Sequence, residues 1–218
     1  MIKDLYFLDL LGTYYEKNKV QFTKSNIHKF IFFNNLTSEN ISNYSILGFV
    51  FELSNINTIN ELQLRKMFGL KYASLLKDKL FDKAYDNLNY KFKHKNCQEF
   101  FAANFISEFE YEKIKQIILI PETNKIHPSL YNTVTFLINV LEGEKQLELI
   151  EWFVINQPEL LFKADKNRID SYRIKVFQDF FNHHCIEKSY WITTNNQLTV
   201  KGKNINIIGI TWYGLETK

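Results

Sequence analysis

Apolar and polar side chains alternate along Tyr90-Lys91-Phe92-Lys93-His94-Lys95, and a helical pattern follows at once. The alternation predicts a strand whose Tyr90, Phe92 and His94 face a core while the lysines face water. Cys97, Phe100, Phe101 and Phe105 then recur at helical spacing and predict a buried stripe. Asn96 is placed to cap that helix, Glu99 three residues on completes a capping box, and Ala102 and Ala103 permit close packing.

The same reading divides the rest of the chain. Leu5, Leu8, Leu11 and Tyr15 predict a helix, a lysine-rich turn follows, and Thr23 or Ser25 opens a second helix carrying Ile27, Phe30 and Ile31. Residues 34–44 are Asn-rich and polar, and read as a linker. Beyond it, Ile46, Leu47, Val50, Phe51 and Leu53 mark a helix. Thr58-Ile59-Asn60-Glu61 forms a capping box for another that buries Leu62 and Met67 and stops at Gly69. Two short helices followed by the lysine-rich 71–95 segment and its strand give the order of a winged helix, over residues 45–107.

From 110 to 190 the pattern predicts helical hairpins. Leu130, Val134, Leu137, Ile138 and Leu141 form one helix closed by Gly143. Leu147, Ile150 and Phe153 form the next, ending near Pro158, and Asp170 caps a third with Ile174, Phe177 and Phe181. Residues 191–218 read as a β-hairpin or a frayed tail. The fold class expected is mainly α: a short helical segment over 1–36, a winged helix with a short β wing, then hairpins.

Composition sharpens this picture. With 20 Phe and 12 Tyr against 7 Gly and 3 Pro, the 218 residues favour helices over a β-sandwich. No apolar run reaches the ~20 residues of a membrane span, and the N-terminus lacks a signal-peptide layout, so the cytoplasm is the expected location. A net charge of +3 is too small to name a polyanionic partner. Cys97 and Cys185 have no neighbours at metal-ligand spacing.

Catalytic signatures are missing as well. The chain has no phosphate-cradling Gly-x-x-x-x-Gly-Lys-Ser/Thr loop and no Gly-x-Ser-x-Gly elbow, so nothing in it is assigned a catalytic role. His183-His184-Cys185 is the densest group of metal-ligand types, but neighbours on one helix point ~100° apart and do not converge on one ion, so no metal is expected. The cap position accounts for Glu99, and the apolar face of its helix makes Cys97 an inert thiol.

The segment Phe-Lys-His-Lys-Asn-Cys-Gln-Glu-Phe-Phe-Ala-Ala, residues 92–103, resembles the end of the winged-helix domain in NACHT-type STAND NTPases, the class of NOD-like receptors and their bacterial antiviral relatives. The likeness rests on its aromatic-x-His-x-x-x-Gln-Glu-aromatic-aromatic-Ala-Ala order. Residues 1–36 look like the end of the small helical domain that follows the nucleotide-binding core in that class. The resemblance implies a switch and scaffold portion of a nucleotide-controlled protein in antiviral defence signalling. It implies that His94 contacts the β-phosphate of ADP, and that ADP or ATP is held by a nucleotide-binding domain of the same or a companion chain. A protein trigger or effector, and an oligomer formed on activation, are the other partners implied. From the residues alone His94 reads first as a buried histidine that finishes a strand, and only the resemblance raises the phosphate role beside it. Two other functions stay open: a winged-helix DNA-binding regulator, for which Gln63, Arg65 and Lys66 are a thin base-reading set, and a helical protein-interaction module.

Overall fold

The computed structural model describes residues 36–78 and 80–163, together with Lys29, Phe32, Phe33, Lys175, Gln178, Asp179, Asn182 and His183. Nearly all of the two helices expected before residue 34, most of the helix expected after Asp170 and the whole tail expected over 191–218 lie outside the described residues.

Thr37 opens helix α1 (Ser38–Ser54), its hydroxyl accepting the Asn40 N–H at 3.1 Å. The helix therefore begins inside the stretch expected to be a linker. Its polar residues do not unwind it, because they are spoken for elsewhere: Asn40 Nδ2 donates to Asp78 Oδ2 at 2.9 Å, and the Ser45 hydroxyl to the Ile41 carbonyl at 2.8 Å. Tyr44, Leu47 and Phe51 form its inner face. Asn55, in the left-handed region at φ 51°, ends it by donating back to the Glu52 and Phe51 carbonyls.

Strand β1 (Ile59–Asn60) leads into α2 (Glu61–Phe68), a 3-10 turn over Gly69–Lys71 and the single-turn α3 (Tyr72–Leu75). The capping box of α2 is real but sits two residues later than expected. Asn60 Oδ1 accepts the Gln63 N–H at 2.9 Å, and Gln63 Oε1 accepts the Asn60 N–H at 3.1 Å. That shift turns the helix, so Leu64 is buried while Leu62 and Met67 stand exposed. Gly69 ends it as expected, at φ 58° with its N–H on the Arg65 carbonyl.

Strands β2 (Phe81–Lys83) and β3 (Asn89–Phe92) form a hairpin, and β1 pairs with the far side of β3 in a three-stranded antiparallel sheet of order β1-β3-β2. The register sets Ile59 opposite Tyr90 and Phe81 opposite Phe92. Next come α4 (Lys95–Ser107), α5 (Tyr111–Ile118), α6 (Tyr131–Val140), α7 (Gly143–Asn156) and a 3-10 segment over Pro158–Lys163. The described residues are thus mainly helical, with a small three-stranded antiparallel sheet.

Two compact units result: residues up to Phe109 with Pro128–Val140, and Glu110–His127 with the chain from Leu141 onward. In the first, α4 is the central element, packed on α1 and on α6. Its Phe100, Phe101, Ala102, Ala103 and Ile106 are all buried, which is why apolar residues surround the helix more fully than one stripe would require. Phe105, expected in the stripe, is only half-buried, with its ring 4.7 Å from that of Phe49. Helix α6 buries Val134, Leu137 and Ile138 as its pattern predicts, but it packs on α4, whereas the pattern placed it in a hairpin with the next helix.

In the second unit Ile114 and Ile118 of α5 and Leu149, Ile150, Phe153 and Val154 of α7 are buried. Gly143, expected to close a helix, is instead the first residue of α7 at φ 62°. Gln157 ties the unit together by accepting the Ile126 N–H at 2.6 Å. No described helix is long and apolar enough to cross a membrane.

Candidate functional site

The junction where β3 turns into α4 carries the residues singled out by the sequence. Phe92 anchors it: its ring meets Phe51 and Phe81 edge-on, with centroids 5.7 and 5.3 Å away, and that of Tyr44 at 5.8 Å. One residue on, the Lys93 N–H donates to the Leu80 carbonyl at 2.9 Å, so pairing continues up to the turn. The strand ends at Phe92, and His94 is the residue before the helix rather than the last of the strand.

His94 keeps an extended backbone, φ −130° and ψ 137°, and its carbonyl accepts the Cys97 N–H at 3.0 Å to start α4. The residue is half-buried, and its Nε2 is screened from solvent, in keeping with an inward imidazole. Asn96 does not cap: the cap position belongs to His94, with no side-chain capping bond. Glu99 correspondingly does not reach back. It is buried, and Oε1 accepts from Asn132 Nδ2 of α6 at 3.2 Å. The box fails because the helix begins earlier than Asn96, which puts Glu99 on a face covered by another helix.

A buried charged group joins α1 to the start of α4. The Glu52 carboxylate, with its side chain 2% exposed, accepts from Lys95 Nζ at 2.5 Å and from Gln98 Nε2 at 2.6 Å. Lys95 keeps half of its side chain in water, and the pair binds the last turn of α1 to the first turn of α4. Sequence reasoning missed Glu52 and Asn132. Glu52 sits in an otherwise apolar turn and meets its partners only across 43 and 46 residues, a separation that no local pattern reports.

Other candidates have ordinary explanations. Cys97 is 1% exposed, and burial pushes its thiol far above the usual range, so it is no nucleophile at neutral pH. Gln63, Arg65 and Lys66 are exposed on α2, with Arg65 5.7 Å from the centre of the Tyr72 ring. His183 is half-buried, and His184 and Cys185 lie outside the described residues. Among the described residues no group of three His, Cys, Asp or Glu converges to hold a metal. In the second unit an open cleft of about 540 Å³ is lined by Glu110, Glu112, Glu142, Glu144 and Glu148 with Tyr111 and Lys145. Lys145 Nζ lies 3.5 Å from Glu110, and burial followed by the surrounding carboxylates pushes the Tyr111 hydroxyl up to about 12.

No known protein family, curated protein or solved structure matches the chain.

Proposed function

We propose that this chain is the switch and scaffold portion of a nucleotide-controlled STAND protein of the NACHT type, acting in antiviral defence signalling, with no catalytic site of its own. The observation that carries the reading is the β3–His94–α4 junction: the family-like motif of residues 92–103 is built as a strand that turns into a buried helix directly after the histidine. The order of elements supports it: helix, short strand, two helices and a hairpin, with the sheet ordered β1-β3-β2, agree with the winged helix that the reading requires.

In this reading the nucleotide sits on a domain outside these residues, and His94 donates to a β-phosphate oxygen of ADP. His94 and the half-exposed Lys95 are neighbours in the chain at the start of α4, and Lys95 is held there by Glu52. A hydrogen bond to a charged group is worth about 1.5–3 kcal/mol. Losing it shifts a closed-to-open balance roughly ten- to a hundred-fold.

The full-length protein with its nucleotide domain tests this. The His94→Ala variant is expected to fold, to lose bound ADP and to signal without its trigger. Unchanged ADP retention together with a lower melting temperature would make His94 a structural residue and remove the switch role. The DNA-binding alternative ranks second for a structural reason. On α2, the helix assigned the base-reading side chains, only Gln63, Arg65 and Lys66 are available, and Arg65 lies 5.7 Å from the centre of the Tyr72 ring.

A further inference from the structure

Glu99 belongs to the motif that singled out the junction, yet neither a cap nor the nucleotide switch uses it. Its residue surface is 4% exposed, and Oε1 takes a single hydrogen bond, from Asn132 of α6, at 3.2 Å. Oε2 is buried with no hydrogen-bond partner, and so is the hydroxyl of Thr133, the next residue of α6. An ionised carboxylate offers about four acceptor positions, so this one is poorly compensated as an anion.

The charges around it do not repair that. From α1 the group facing it is Glu52, a second buried carboxylate. On its own helix the cation acting on it is Lys95, which is engaged with Glu52. Helix α6 has no charged residue, and Lys91, the charged residue of β3, lies over the Tyr85 ring at 4.7 Å.

We propose that Glu99 is a charge-gated latch between α4 and α6: with its carboxyl neutral the two helices stay packed, and its ionisation as the pH rises loosens α6 from the unit. The inference does not depend on the family reading. Burial, opposed by the Asn132 hydrogen bond and assisted by the Glu52 charge, holds the Glu99 carboxyl above its ordinary value of 4.5. A carboxyl raised in the folded state contributes stability that is complete below the unfolded value and is lost as the pH climbs through the folded one. A neutral acid asks only that its O–H find an acceptor, and costs far less to bury than the anion.

The experiment follows the full chain as the pH is raised from the ordinary glutamate value to about pH 8, because a carboxyl held above that value ionises on the way up. It measures the melting temperature together with hydrogen exchange at the α6 amides, corrected for the intrinsic pH dependence of exchange. The wild type is expected to lose α6 protection as the pH rises, while Glu99→Gln keeps it and melts roughly 2–4 °C above the wild type at the alkaline end. A Glu99→Gln variant that melts lower than the wild type at pH 8, or that keeps the wild-type pH dependence of α6 exchange, overturns the proposal. Should that variant fail to fold, a carboxyl-carbon NMR titration of Glu99 in the wild type decides. A midpoint above the free-glutamate range that coincides with the loss of α6 protection upholds the latch, and a midpoint at or below that range, or α6 protection that does not follow the titration, refutes it.

Discussion

Gly48 sits at the closest approach of α1 to α4. A Cβ built on it would lie 2.7 Å from the Gln98 carbonyl oxygen and 2.9 Å from the Ala102 nitrogen, both backbone atoms that a side-chain rotation cannot move. Glycine is thus required by contact and not by backbone conformation, and Ala102 on the facing helix is small for the same reason. Gly48→Ala is expected to push the two helices apart and destabilise the chain by about 1–3 kcal/mol, read from its denaturant midpoint. An unchanged midpoint would mean that α1 and α4 are not in van der Waals contact there. The alanine pair was legible in the sequence. Gly48 was not, because nothing in the residues around it announces which backbone will lie across it. Glu52 and Glu99 make the same point for charge: only the opposite helix shows whether each is paired.

Among the elements, α2 shows how a shift of two residues in a cap propagates. The pattern Thr58-x-x-Glu61 and the pattern Asn60-x-x-Gln63 both have capping-box form, and the chain uses the second. Asn60 wins because it ends β1, whose pairing with Asn89 fixes its extended backbone and aims its side chain at the first turn of α2. Asn60→Ala is expected to cost about 0.5–2 kcal/mol, the usual loss for an N-cap, whereas Thr58→Ala leaves the unfolding midpoint in place. The reverse ranking would restore the cap expected from the sequence. Element types were read correctly for 46–53, 61–69, 90–92, 97–106 and 130–140, since amphipathic period survives small errors of boundary. Starts were misplaced at α1, α2 and α4. Each start depends on a side chain or strand pairing that competes with equally good local alternatives.

For the whole molecule, three of the seven lysines of the 71–95 segment are engaged within the chain. Lys71 pairs with Glu39, Lys91 covers Tyr85, and Lys95 pairs with Glu52. A net charge of +3 leaves little to release counterions from a duplex. The chain is expected to leave duplex DNA unretarded in a gel at about physiological salt, the regime in which phosphate contacts are already screened. Retardation falling steeply as salt is raised would favour the regulator over the switch.

The sequence by itself determined the features that report which face of an element avoids water: the inward Phe92, the buried Phe100 and Phe101, the stripe of Val134, Leu137 and Ile138, and the stop at Gly69. Those follow from periodicity, which is a local property of the chain. Tertiary structure alone decided that residues 38–44 are helical, that His94 precedes α4 instead of ending β3, and that α6 packs on α4. It also decided that Glu52 is gripped by Lys95 and Gln98 while Glu99 is left with one partner. The reason is one of distance along the chain. A polar residue is tolerated in a helix or a core when a partner arrives from tens of residues away, and only the packed structure brings that partner within hydrogen-bond reach.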